Sequence, residues 1–197
     1  LRRFSKMTNL AYSRIVLLGP PGSGKGTQAQ ILSEVTGLKH IASGSLFRDH
    51  LGRGTELGTK ASKFMEKGLL VPDSITIKMV TEAVLDPSSL SGFMLDGFPR
   101  NLAQAKSLDD LLQDKNAAAD LSLLIVVPEA HLIQRMLSRG RPDDTIDTIK
   151  TRLKIFRRET EPLIDYYRDK IRFEEIDGLG EIDEVQLRIR GALASSP

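Results

Sequence analysis

The fold class that this sequence predicts is α/β, with a central parallel sheet of five strands and helices on both faces. Three observations predict it. Short apolar runs alternate along the chain with longer segments of helical pattern, the order that builds parallel strands joined by crossover helices. The run from Leu121 to Val127 is almost unbroken in apolar character, so it expects cover on both faces. Glycine-rich stops separate the segments, with no repeat and no low-complexity linker.

Taken in order, Ser13 to Leu18 is a short apolar run stopped by Gly19-Pro20-Pro21-Gly22, which reads as a buried strand and a forced turn. A helix follows from Gly26 to about Val35, ended by Gly37, and Lys39-His40-Ile41 is a weak second strand. Gly44 to Lys67 is helical in pattern but cut by Gly52, Gly54 and Gly58, which predicts two or three short helices. Pro72-Asp73 opens a helix to about Leu85. Gly92 to Asp96 is the third strand, and a helix runs from Leu102 to about Gln113. After the strand at Leu121, a helix spans Glu129 to Arg139, broken by Gly140-Arg141-Pro142-Asp143-Asp144. One long helix is expected from about Thr145 to Asp169, with Ile146, Ile149, Leu153 and Phe156 on one stripe. Arg172 to Ile176 is the last strand and Glu181 to Ala194 the last helix.

Length and composition bound the function. The 197 residues suit one domain, 13–194, after an N-terminal extension, 1–12, expected to be poorly ordered. Lys plus Arg exceeds Asp plus Glu by only 28 − 26 = 2, which excludes a generally basic nucleic-acid coat; any anion site must come from local clustering. The absence of cysteine excludes disulfides, thiolate catalysis and Cys-ligated zinc. No apolar run approaches ~18 residues, so no membrane span is expected. Leu1 to Lys6 reads first as tag residues or an extended start before Met7, and alternatively as the remnant of a basic targeting segment.

Gly19 to Thr27 carries the strongest chemical signal. Its glycines let backbone N–H groups curl inward around phosphate oxygens, and it lies between a strand and a helix, the context that gives such a P-loop its meaning. The helix adds the positive end of its dipole. Gly22, Ser23, Gly24 and Gly26 supply the cradle, Lys25 a mobile charge for the outer phosphates, and Thr27 a hydroxyl that can reach Mg²⁺. An ordinary glycine-rich turn leaves the lysine and the hydroxyl unexplained. At the end of the third strand, Asp96 can organise Mg²⁺ through its water shell, and Arg100 offers a planar fork to phosphate. Gln104, one helical turn on, carries a donor and an acceptor that can match the N1 and N6 edge of adenine.

Gly24-Lys25-Gly26-Thr27-Gln28, with a glycine between the lysine and the hydroxyl, is similar to the signature of adenylate kinase and its nucleoside monophosphate kinase relatives. Asp96-Gly97-Phe98-Pro99-Arg100 with Gln104 resembles the second signature of adenylate kinase. The resemblance covers about Arg14 to Leu193 and implies a P-loop three-layer fold with an NMP-binding insert at about 42–71. It places Ser43, Arg48, Leu69, Leu70, Val71, Gly97, Phe98, Pro99, Arg100 and Gln104 in the acceptor site. By residue chemistry alone, Leu69 to Val71 read as core. Ser45 stands where the family usually has an aspartate, which leaves Asp96 as the acid for the magnesium water network.

Arg135 and Arg139 share a helix face, and Arg139 to Asp144 resembles the short-lid form, with the lid at about 138–144. The resemblance implies that Arg139 meets the donor nucleotide, and Arg141 and Arg152 the phosphates in transit. Asp143 and Asp144 resemble the acidic pair that binds these arginines on closure. Gly180 is implied to lie against the donor adenine. With no lid insert and no cysteine, no structural zinc is expected. His40, His50 and His131 show neither triad nor metal spacing and read as surface or edge residues.

The implied activity is reversible, Mg²⁺-dependent phosphoryl transfer from ATP to AMP, giving two ADP. Expected partners are ATP, AMP and ADP, with neither nucleic acid nor membrane. The chain is expected to be a cytoplasmic monomer, with the organellar matrix as the alternative if residues 1–6 are a targeting remnant. A UMP/CMP kinase resembles this pattern closely but carries Asn where this chain has Gln104. A GTP-using donor site stays open. A guanine-reading switch lacks its Asn-Lys-x-Asp motif here.

Overall fold

The computed structural model describes residues 6, 7, 10–89, 92–115 and 117–194. Strands β1 (Arg14–Leu18), β2 (Lys39–Ala42), β3 (Phe93–Asp96), β4 (Leu121–Val126) and β5 (Arg172–Asp177) form one sheet, all parallel, in the order β2-β3-β1-β4-β5. β1 is central. Its register sets Leu17 beside Asp96 on one flank and Leu123 on the other. The carboxyl end of β1 is therefore the point where the strand order splits, which in an open α/β sheet leaves a crevice for ligand.

Nine helices cover the sheet among the described residues: α1 (Lys25–Thr36), α2 (Ser43–Gly52), α3 (Glu56–Met65), α4 (Asp73–Leu85), α5 (Leu102–Asp114), α6 (Glu129–Arg139), α7 (Ile146–Ile155), α8 (Pro162–Arg168) and α9 (Ile182–Ala194). Alternation along the strands sorts side chains into two cores. Ile15, Leu17, Met94, Leu121, Leu123 and Ile125 point to one face, under α1, α6, α7 and α9. Val16, Leu18, Phe93, Leu95 and Leu124 point to the other, under α2 to α5 and α8. With both faces covered, the continuous apolar runs of β1 and β4 follow.

Three expectations change. The long helix is interrupted: a π turn at Phe156–Thr160 separates α7 from α8, with Glu161 N donating to Phe156 O at 2.9 Å. Pro162 has no N–H to continue an α-helical ladder, and the extra residue of the π turn absorbs the mismatch. Of the expected stripe, Ile149 and Leu153 are buried, but Ile146 is 45% exposed and Phe156 half-buried. Gly58 does not cut a helix; it lies inside α3, where a Cβ would run into the backbone of His50 and Leu51. Part of the expected loose extension packs: Met7 N donates to Val35 O at 2.8 Å, and Leu10 and Tyr12 join the first core. Residues 1–5, 8 and 9 lie outside the described residues. Among the described residues, no helix is long and apolar enough to cross a membrane.

The contact between α2 and α3 gives a prediction of sign. In an exposed helix, Gly→Ala stabilises by about 1 kcal/mol. Gly58→Ala should instead destabilise by about 1–3 kcal/mol, because the methyl group forces two backbones apart. Denaturant midpoints decide it; a rise in stability would refute the close packing.

Candidate active site

The segment between β1 and α1 lies directly on α6. Gly22 adopts a φ of 85°, and a Cβ there would meet Leu132 O at 2.8 Å. Gly26 faces Asp96, with its ideal Cβ position 3.2 Å from Oδ2, so the first turn of α1 closes on the end of β3. Lys25 Nζ folds back across the loop and donates to Gly19 O at 2.7 Å, Pro20 O at 2.9 Å and Ser23 Oγ at 3.3 Å. Burial pushes its pKa down to about 8, with Arg100 and Arg139 adding repulsion and Asp96 opposing the shift.

On the flank formed by β2 and β3, Asp96 Oδ2 lies 3.4 Å from His40 Nε2. Burial raises the Asp96 pKa, but the His40 hydrogen bond and the charges of Lys25, His40 and Arg100 outweigh it, and the carboxyl sits below its ordinary range. His40, read as an edge residue, is thus a neighbour of the site acid. Gly97 O accepts from Ser43 Oγ at 2.6 Å and from Arg100 Nε at 2.7 Å. Arg100 N donates to Gln104 Oε1 at 2.8 Å, and Arg100 O accepts from Thr160 Oγ1 at 2.7 Å. Gln104 Nε2 donates to Asp73 Oδ1 at 2.7 Å. Arg48 Nη2 reaches Ser45 Oγ at 3.3 Å.

Beyond α6, Arg139 grips Asp144 through Nε and Nη2, both at 2.7 Å. Arg152 Nη1 donates to the same carboxylate at 2.8 Å, and its Nη2 to Asp143. A capping box at Thr145 and Thr148 begins α7, and Thr148 Oγ1 donates to Asp143 O at 2.6 Å, which holds the acidic pair in place. Asp144 is raised by burial but lowered further by its bonds to Arg139 and Arg152, so its carboxyl lies below the ordinary range. Arg135 Nη2 donates to Gly178 O at 3.0 Å and its Nη1 approaches Ser23 O at 3.5 Å.

Most of these groups, though not Asp73, Asp144, Thr145 or Thr148, face one cavity of about 1270 Å³. It is lined by Gly22, Ser23, Gly24, Lys25, Gly26 and Thr27, and by Ser43, Arg48, Leu69, Leu70, Val71, Asp96, Gly97, Pro99, Arg100 and Gln104. Arg135, Arg139, Arg141, Arg152 and Gly180 complete it. Phe98 is the exception among the expected site residues: at 2% exposure it packs into the second core beneath the loop. Leu69 is 43% exposed at the cavity, whereas Val71 both lines it and belongs to the core. Sequence reasoning missed the roles of His40, Thr160 and the pair Asp73 and Asn101. Asp73 was expected as a helix start and as the end of the Lys67–Asp73 segment that resembles the family's adenine enclosure, but its bond to Gln104 was not foreseen, and Thr160 lay inside an expected regular helix.

The donor set suits a magnesium ion that arrives with its nucleotide. Thr27 and Asp96 are hard oxygen donors, and Mg²⁺ takes one or two carboxylates while keeping waters and phosphate oxygens. Among the described residues, no group of three or more His, Cys, Asp or Glu could hold a resident metal.

The acidic pair should show itself in acid. A carboxyl held below its ordinary pKa contributes stability that is complete above about pH 4 and lost as pH falls through the folded value. The melting temperature of Asp144→Asn should therefore lie below that of the unchanged chain at neutral pH, with the gap closing as pH falls below the ordinary carboxylate range. A gap of constant size at every pH would show that the pair does not carry this charge.

The family model described as "Adenylate kinase" matches residues 17–172. Curated relatives named adenylate kinase include one from Rhodococcus erythropolis, 51% identical over 91% of this chain and 98% of its own length. One from Nocardia farcinica is 49% identical and one from Mycolicibacterium vanbaalenii 47%, each with the same coverage of both chains. A match of this length, at about half identity, carries more than a shared fold: the chain belongs to the adenylate kinase family.

Proposed function

We propose that this cavity holds MgATP and AMP together and transfers a phosphoryl group between them, giving two ADP. The observation that carries the reading is one cavity with a glycine-rich loop at Lys25 on one flank and, on the other, an arginine beside a buried side-chain amide, Arg100 and Gln104. A regulatory module that only senses a nucleotide has no use for the second half.

ATP lies on the loop, its phosphates against the N–H groups of Gly22 to Thr27 and against Lys25, with Arg139 and the Gly180 loop on the donor nucleotide. AMP lies across the cavity, its phosphate between Arg48 and Arg100, its base against Leu69 to Val71 and Gln104. Thr27 and Asp96 would hold the magnesium ion that accompanies the triphosphate, and the ion would supply positive charge for the phosphoryl oxygens. An AMP phosphate oxygen attacks in line, and no side-chain nucleophile takes part. Lys25, Arg135, Arg139, Arg141 and Arg152 stabilise the moving charge by position. Asp143 and Asp144 fix Arg139 and Arg152 beforehand, so little reorganisation is left for the reacting step. Closure of segment 42–71 and of 138–144 excludes water, which would otherwise take the phosphoryl group. One chain supplies every group named, which supports a monomer, and free nucleotide substrates fit a cytoplasmic setting.

Acceptor choice tests this reading. In a coupled assay of ADP formation, AMP should exceed GMP, CMP and UMP by at least ~10-fold in kcat/KM, because a site built to pair with one base leaves groups unpaired with another. A panel led by CMP or UMP would overturn the role given to Gln104.

Lys25 gives a second test. Triphosphate oxygens beside the ammonium raise its lowered pKa, so ATP binding at about pH 8.5 should take up roughly half a proton or more. Calorimetry in buffers of different ionisation heat reads that uptake. Lys25→Met should abolish it and cost ~10²-fold or more in kcat with little change in melting temperature. Near-normal turnover in a folded Lys25→Met would make the loop structural only.

A further inference from the structure

We propose that Asp73 is a positioning residue for acceptor-base specificity, acting by locking the side-chain amide of Gln104 in one orientation. The proposal rests on the reading of Gln104 as the group that meets the acceptor base.

Gln104 is 1% exposed, and both ends of its amide are engaged. The backbone N–H of Arg100 can only donate, so the atom facing it is the amide oxygen. The Asp73 carboxylate can only accept, so the atom facing it is the amide nitrogen. The partners alone therefore assign the orientation. Turning the amide over would set N–H against N–H at Arg100 and C=O against carboxylate at Asp73, losing two hydrogen bonds and creating two repulsions. One lone pair on Oε1 and one hydrogen on Nε2 are left over.

That leftover pair has a sense. Adenine offers a donor at N6 and an acceptor at N1, which an acceptor and a donor satisfy. Hypoxanthine and guanine offer an acceptor at O6 and a donor at N1, the reverse pattern. A free amide could turn over to serve either; a locked one serves adenine.

Asp73 is itself held. Asn101 Nδ2 donates to its two oxygens at 3.0 and 3.2 Å, while Asn101 Oδ1 caps α5 by accepting from Gln104 N at 2.9 Å. The lock thus joins the start of α4 to the start of α5. A carboxylate in the first turn of a helix also complements the helix dipole. That role alone predicts nothing about which base is accepted.

The test is the ratio of kcat/KM for AMP to that for IMP, measured for the unchanged chain, Asp73→Asn, Asp73→Ser and Gln104→Ala, with KM for ATP and the melting temperature recorded for each. An asparagine amide or a serine hydroxyl can donate as well as accept, so either removes the Asp73 half of the lock and leaves only the Arg100 N–H to oppose turning over, while still suiting a helix start. Both Asp73 variants should lower the AMP-to-IMP ratio at least ~10-fold, the size of one misplaced hydrogen bond. The loss should fall on the acceptor, through a higher KM for AMP and a gain with IMP, and leave KM for ATP unchanged. If Gln104→Ala loses the discrimination and both Asp73 variants keep it, the lock is wrong and the reading of Gln104 stands. If Gln104→Ala keeps the discrimination, that reading fails and the lock with it. Should one Asp73 variant not fold, the other decides.

Discussion

Gathering a lysine and several arginines around one cavity is costly, because each cation loses water and repels the others in a medium of low dielectric. The fold meets this cost by giving the cations internal acceptors. Lys25 lies on two loop carbonyls, Arg100 on Gly97 O, Arg135 on Gly178 O, and Arg139 and Arg152 on Asp143 and Asp144. The net charge of the chain is only +2, so the clustering of cations at this cavity is a local feature and not a reflection of an overall basic chain. Phosphate oxygens are stronger acceptors than backbone carbonyls, since charge-assisted bonds are about twice as strong as neutral ones. A bound polyphosphate therefore completes an electrostatic arrangement that the protein alone satisfies with weaker partners.

The same requirement explains why the site lies where it does. At the end of β1 the strand order splits, so the loop to α1 faces the ends of β3 and β4 together. Asp96 and the Arg100 turn come from β3, and the helix after β4 brings Arg135 and Arg139. Two separate cores hold these strands from both faces, so Lys25, Asp96, Arg100 and Arg135 project from anchored elements, whereas Arg48, Arg139 and Arg141 belong to the segments proposed to close. The π turn after α7 fits this pattern. It sets Thr160 against Arg100 O, so an irregularity in one helix steadies a turn that carries a cavity-lining arginine.

The two halves of the cavity differ in kind. In the function proposed above, the loop half relies on backbone groups and on charge, which suit phosphates and are largely indifferent to the base. The Gln104 half relies on an amide whose direction is set by neighbours on two helices. Phosphate recognition needs positive groups within reach, whereas base recognition needs one hydrogen bond to point the right way. The first tolerates small shifts; the second does not.

Much of this protein is legible in its sequence. Alternation of apolar runs with helical segments determined the five-strand parallel sheet, and the doubly covered β1 and β4 were readable from their unbroken apolar character. Glycine, lysine and hydroxyl at fixed spacing determined the phosphate loop, because the backbone curl there depends on local residue type. Other features were decided only by packing between distant segments. Gly58 looked like a break and proved to be a close approach of two helices; Phe98 looked like a site residue and proved to be core. His40 beside Asp96, Thr160 on Arg100 and Asp73 on Gln104 join residues 56, 60 and 31 positions apart. Local pattern carries backbone geometry and periodicity. Such pairings depend on where the sheet and helices bring two chain segments together, and that is a property of the tertiary structure.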